Sequence, residues 1–202
     1  MRVKTDSQRV SVLEAAGEVF REEGYERASM NQVAKRLGGS KGTLYNYFSS
    51  KQELFAAVML SSIEGVAFDA FHLLEAEADI PLEEVLTAFG AAYLRFLLRE
   101  ELLEITRLAI AEAKAGDWGV RLYAETVEAG LKSVENLLAR RLPSRTLPEG
   151  GIAAVARQYR AVLTSDLIER RLRDIGRAPD EAAIDQASRA AAALIVRAYE
   201  GG

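Results

Sequence analysis

Residues Ala28 to Lys51 read ASMNQVAKRLGGSKGTLYNYFSSK, and this stretch decides the fold. Ser29 can cap a helix, with Gln32 three residues on to complete a capping box. Met30, Val33, Ala34 and Leu37 then recur at helical spacing. Gly38 and Gly39 stop that helix, because glycine accepts the positive φ that a C-terminal turn needs. Ser40 caps a second short helix, where Lys41, Gly42, Thr43, Tyr45, Asn46 and Tyr47 crowd into little more than one turn. A helix, a glycine turn and a second short helix describe a helix-turn-helix. A surface helical hairpin with a polar face shares the same pattern.

In a helix-turn-helix the second helix lies in the DNA major groove and presents its N-terminal residues to base edges. Lys41, Thr43, Tyr45 and Asn46 are the candidates for that groove, and Gly42 permits close approach of the backbone. Lysine can donate to guanine, and asparagine can pair with adenine. Ser29, Asn31, Ser40, Tyr47 and Lys51 are candidates for the phosphate backbone, which positions a protein without reading sequence. For each of these the competing reading is a solvated polar side chain. Leu44 and Phe48 read as core.

Upstream, a first helix is expected from about Ser7 to Glu23, capped by Asp6 and ended by Gly24. Val10, Leu13, Gly17 and Phe20 form one apolar stripe, which Val12, Ala16 and Val19 widen. Downstream the pattern stays helical. The expected spans are Ser50–Ala78, Leu82–Leu98, Glu101–Lys114, Leu122–Leu142, Ile152–Ile175 and Asp180–Tyr199. The clearest loop is PSRTLPEGG from Pro143 to Gly151. No alternating strand pattern occurs, so the fold is read as all-helical, with about nine helices. Residues 1–51 are read as a DNA-binding domain and residues 52–202 as a ligand-binding and dimerisation domain.

Charge supports that division. The chain carries a formal net charge of −4. Residues 1–51 hold nine Lys/Arg and six Asp/Glu, a balance of +3, and the remainder sums to −7. Such asymmetry suggests one region that meets a polyanion and another that does not. The sequence has no cysteine, and its one histidine is His72. That excludes disulfides and a cysteine nucleophile, and leaves little material for a metal site, a cofactor site or a histidine-based triad. No run approaches the roughly 20 apolar residues that span a bilayer. The first residues carry basic charge without an apolar stretch behind them, unlike a secretory signal. A cytoplasmic, non-enzymatic protein is the expectation, with no membrane partner.

The run GGSKGTLYNYFSSKQEL, from Gly38 to Leu54, resembles the DNA-binding signature of TetR/AcrR-type transcriptional regulators. Leu13, Ala15, Ala16, Phe20, Gly24 and Tyr25 are similar to the first helix of that signature. In the C-terminal half, RLAIAEA from Arg107 to Ala113 and the order of the last two helices resemble the regulatory domain of the AefR-like subset. The resemblance implies a homodimeric regulator, a repressor on double-stranded, pseudo-palindromic operator DNA, released by a small-molecule effector. An alternative is a helical ligand-binding protein whose helix-turn-helix serves protein contacts.

Two further sites follow from the side chains. Phe68, Phe71 and His72 share one face of the expected long helix. With Tyr93, Phe96, Arg107, Trp118 and Tyr123 they are the candidate lining of a cavity for an apolar or aromatic ligand. Ordinary core packing is the alternative for each aromatic. The last two helices carry small residues, Ala153 and Ala156 in one and Ala183, Ala187, Ala190 and Ala198 in the other. They read as a four-helix dimer interface, two helices from each chain, or as an internal hairpin.

Overall fold

The computed structural model describes residues 2–38, 41–75, 79–111, 113 and 118–200, with the side chains at 2–6, 41, 62–71, 75 and 125 excepted. The helices are α1 (Arg2–Arg27), α2 (Met30–Leu37), α3 (Lys41–Tyr47), α4 (Lys51–His72), α5 (Leu82–Leu97) and α6 (Glu100–Ala111). They are followed by α7 (Trp118–Tyr123), α8 (Ala129–Arg141), α9 (Gly151–Thr164), α10 (Leu167–Leu172) and α11 (Glu181–Tyr199). Among the described residues there is no strand, so the all-helical class holds. The chain divides into two compact units, Met1–Ile63 and Glu64–Gly202.

In the first unit α1 is interrupted at Gly24 (φ 74°, ψ 164°), where the sequence ends the helix. The helix begins upstream of its expected start, so Asp6 lies inside it instead of capping it. The buried face is also displaced from the stripe read in the sequence. Val12, Ala16, Val19 and Phe20 are buried, whereas Val10 is 52% exposed. They pack with Val33 and Ala34 of α2, Leu44 of α3, Phe48, and Leu54, Phe55 and Val58 of α4. Tyr25 closes this core, as its ring lies 4.8 Å from Phe55, which meets Phe20 edge-on at 5.0 Å. Because the first turns of α4 are part of this core, the unit runs past the 51/52 division read from the sequence.

Ser50 starts α4 by accepting from the Glu53 N–H (3.1 Å). The helix ends at His72 and passes into a 3-10 turn, Leu73–Glu75, short of the span expected to Ala78.

The second unit is built on α5. Leu86, Phe89, Tyr93 and Leu94 are buried, and α11 and α9 pack against this helix. Gly90 lets α9 come close, since a Cβ there would sit 2.6 Å from the Tyr159 hydroxyl. That hydroxyl donates to the Leu86 carbonyl, and its burial pushes the phenol well above its ordinary pKa.

Two expected helices are not uniform. The span Leu122–Leu142 contains a π-helical segment, Ala124–Glu128, between α7 and α8. The span Ile152–Ile175 breaks after Thr164, where Ser165 takes φ 39°. Thr164 Oγ1 bonds back to the Arg160 carbonyl (2.9 Å), and such Ser/Thr bonds to the backbone compete with helix continuation.

Candidate functional site

The helix-turn-helix is built as its residues dictate. Ser29 Oγ accepts from the Gln32 N–H (3.3 Å) and donates to Gln32 Oε1 (2.7 Å), so the N-cap bond of the expected capping box is made and the second bond runs between the two side chains. Gly38 ends α2 in the left-handed region (φ 67°), and its N–H bonds to the Lys35 carbonyl (3.2 Å). A residue with a Cβ is strained there, which explains glycine at this place. Gly39 and Ser40 lie outside the described residues, as does the side chain of Lys41.

On α3, Leu44 and Phe48 are buried and fix the inner side of the helix. Gly42, Tyr45 and Asn46 are exposed, Tyr45 by 50%, while Thr43 and Tyr47 are half-buried. Asn31 is exposed on the first turn of α2. The structure therefore sorts α3 into a buried anchor and an outward polar face.

Two phosphate candidates have other engagements. The Ser29 hydroxyl is held by Gln32. Lys51 Nζ donates to the Tyr25 carbonyl (2.9 Å) and the Glu26 carbonyl (3.3 Å), and lies 4.3 Å from the Tyr25 ring centroid. Its ammonium thereby fastens the end of α1 to the start of α4.

In the second unit the candidate ligand residues separate. Tyr93 is buried, stacked on Phe89 at 5.3 Å and facing Phe96 at 6.3 Å. Its hydroxyl donates to the Thr126 carbonyl in the π-helical segment (3.1 Å). Phe96 and Trp118 are also buried. His72 is exposed, and the side chains of Phe68 and Phe71 lie outside the described residues.

Arg107 is a structural clamp. Its guanidinium bonds the carbonyls of Leu172 (3.1 Å) and Arg171 (2.6 Å) at the end of α10, and Glu100 (3.0 Å). Such carbonyls lack intrahelical donors, and a cation there is favourable. The same guanidinium holds the Glu100 carboxyl below its usual pKa.

A cavity of about 540 Å³ lies beside the packed core of α5. Its wall comes from the end of α5, from α6, from α7 with the π-helical segment, and from α9 and α10. Leu102, Leu103, Thr106, Ile110, Val120 and Leu172 represent it, with Arg160 on α9. Of the six candidates with described side chains, Tyr123 is part of that lining. Aromatic content pointed to the packed core of α5, whereas the void is walled by aliphatic residues of α6 and α10. Arg160 did leave a signal in the sequence, since it shares an apolar stripe with Ala156 and Leu163 at helical spacing.

The profile of bacterial regulatory proteins of the tetR family matches residues 12–58. That of the AefR-like transcriptional repressor C-terminal domain matches residues 84–201. The chain belongs to the TetR family. It is 38% identical over 78 residues to the HTH-type transcriptional activator FasR of Mycolicibacterium smegmatis, covering 39% of this chain and 36% of that relative. With the HTH-type transcriptional regulator UidR of Escherichia coli K12 it shares 39% identity over 64 residues, 32% of this chain and 33% of that one. The chain thus matches about a third of the length of these relatives. Among solved structures, a TetR-family regulator from Mesorhizobium loti superimposes with a TM-score of 0.73 at 24% identity, over 96% of this chain and 98% of that one. The flavonoid-responsive regulator FrrA gives a TM-score of 0.67 at 25% identity, over 96% and 97%. This TetR-family chain is a transcriptional regulator with a DNA-binding helix-turn-helix. Among the described residues no helix is long and apolar enough to cross a membrane.

Proposed function

We propose that this regulator is a homodimeric repressor, released from a pseudo-palindromic operator by a small lipophilic effector. The observation that carries the reading is one chain holding both an outward polar recognition helix and a separate cavity of about 540 Å³, a size and lining typical of small-molecule sites. Support for repression comes from the AefR-like repressor domain over residues 84–201. The name of FrrA supports an effector with a large apolar surface.

On DNA, Gly42 lets α3 approach, Lys41, Thr43, Tyr45 and Asn46 face base edges, and Asn31, Ser40 and Tyr47 face phosphates. Lys51 acts by holding α1 to α4. For dimerisation, the outward side of α11 carries Ala190, Leu194 and Ala198 exposed, with Leu194 at 49%. Small residues around one exposed leucine suit close helix packing against a second copy. Two such heads reading half-sites about 34–36 Å apart, or a multiple of one turn, define the operator. Effector binding shifts the population between DNA-competent and incompetent dimers, which requires different affinity for the two. The helix α4 is shared by both units and is the covalent route for that shift.

The test is operator titration by fluorescence polarisation. Asn46→Ala is expected to relax discrimination at one base pair by about 1–3 kcal/mol. A panel of lipophilic compounds is expected to contain at least one that releases the wild-type protein. Equal loss of specific and non-specific affinity in Asn46→Ala removes it from a base edge. A protein without sequence-specific binding supports the alternative, in which the helix-turn-helix contacts another protein.

A further inference from the structure

Arg160 lines the cavity, and its Nε is shielded from solvent without a hydrogen-bond partner. A guanidinium stays charged at any working pH, and leaving a buried charged donor unpaired is unfavourable. Two other arginines have a nitrogen in this state, but Arg99 pairs with Glu101 (3.4 Å) and Arg141 bonds the Ile80 carbonyl. Among the described residues no ion pair joins Arg160 to a carboxylate. Its neighbour is the Tyr93 hydroxyl, to which the guanidinium is hydrogen-bonded, and that bond and the positive charge oppose part of the rise in pKa that burial causes, so the unpartnered donor is Nε alone. That hydroxyl already donates to the Thr126 carbonyl.

Of the remaining polar groups of the wall, Tyr123 adds a phenol on a half-exposed side chain, and the others are engaged. Thr106 and Thr126 donate their hydroxyls to the carbonyls of Leu102 (2.6 Å) and Leu122 (2.8 Å) on their own helices. Glu169 lies exposed on α10 and pairs with Arg173. What is left is an aliphatic chamber with one cation in its wall that lacks a counter-ion among the described residues. Ile110, Val120 and Tyr123 keep more than half of their surface exposed, so the chamber opens to solvent, but the shielded Nε still meets an anion in a lower effective dielectric than bulk water, where the attraction is stronger.

Resting on the reading of this cavity as the effector site, we propose that its ligand is a lipophilic carboxylate. The apolar body fills the chamber between α6 and α10, and the carboxylate pairs with the Arg160 guanidinium.

The experiment compares acids with neutral partners of the same shape: dodecanoate against dodecan-1-ol, and 2-naphthoate against 2-naphthalenemethanol. Affinities are measured by calorimetry on the full chain, for wild type, Arg160→Met and Arg160→Lys. At least one acid is expected to bind the wild type about 10- to 100-fold tighter than its alcohol, the range for a hydrogen bond to a charged group. Arg160→Met is expected to erase that preference with the alcohol unaffected, and Arg160→Lys to keep part of it. Equal binding of acid and alcohol by the wild type overturns the anion assignment and leaves an apolar cavity. So does an Arg160→Met protein that loses acid and alcohol alike. If neither member of either pair binds, both the assignment and the effector reading fall. If Arg160-dependent binding leaves operator affinity unchanged, the carboxylate site stands and the effector reading alone falls.

Discussion

The two units put their chemistry in opposite places. In the first, short helices close a dense core, and the working residues stand outside it on α3. Leu44 and Phe48 hold that helix from within, so that Gly42, Tyr45 and Asn46 face solvent. In the second, α5 is buried along most of its length, yet the wall of α6, α7 and α10 leaves a void. A binding surface made of protruding side chains leaves a motif in the sequence. A binding site made of missing volume does not, because any apolar helix can border it. The same contrast separates two arginines. Arg107 is fully engaged on α10 and Glu100, while Arg160 keeps an unpartnered nitrogen at the cavity.

The largest expected effect comes from cutting one core at a time. Leu44 and Leu86 are both fully buried, and truncation of either to alanine is expected to cost about 2–5 kcal/mol, lost contacts and the remaining cavity together. Hydrogen exchange followed by mass spectrometry reads each unit by itself. Leu44→Ala is expected to raise exchange in α2 and α3 and to abolish operator binding. Leu86→Ala is expected to raise it in α5 and α9. If Leu44→Ala loosens α5 as much as α2, the two cores unfold as one and the contrast drawn above fails.

A smaller effect is expected at the cap of α2. Ser29→Ala removes the acceptor for the Gln32 N–H and the donor to Gln32 Oε1, at about 1 kcal/mol. Urea titration gives the loss of stability, and operator titration at a temperature where the variant is fully folded gives the loss of affinity. Affinity close to wild type is the expected result, since the hydroxyl faces its own helix. A larger drop, shared by all DNA sequences, would restore Ser29 to the phosphate contacts.

The first unit was legible because several local signals agree. Ser29 with Gln32, glycine at a left-handed turn, and the alternation of Leu44 and Phe48 with polar neighbours each point to the same helix-turn-helix. The bonds of Lys51 to the carbonyls of Tyr25 and Glu26 left no mark in the sequence, since a basic side chain near a recognition helix looks alike whether it meets a phosphate or backbone carbonyls. In the second unit, helix positions followed from apolar spacing and from Pro143, but the break at Ser165 and the π-helical segment did not. The break follows one back-bonded threonine among many residues that continue a helix, and the π-helical segment is met at the Thr126 carbonyl by Tyr93 of another helix, which apolar spacing does not announce. Tyr93 and Phe96 stack around α5, and the sequence does not separate ring stacking from ring contact with a ligand, because both require the same residues.

The smallest expected change in stability tests the second unit most sharply. Ile168 lines the cavity from α10 and is half-buried, so Ile168→Trp adds volume where the chain leaves space. Overpacking costs about 1–3 kcal/mol when neighbours must move, but a void accepts added atoms, and the unfolding free energy is expected to stay within about 0.5 kcal/mol of wild type. Operator affinity is expected to be preserved, because α3 and its supporting core are untouched. Release by any compound that frees the wild-type protein is expected to be lost, since the ligand competes with the indole for the same chamber. Thermal denaturation, light scattering and operator titration with and without that compound check the three expectations. Unchanged release would put the effector outside this cavity. A variant that is folded but monomeric would instead mean that the partner chain, not a small molecule, covers the opening between α6 and α10.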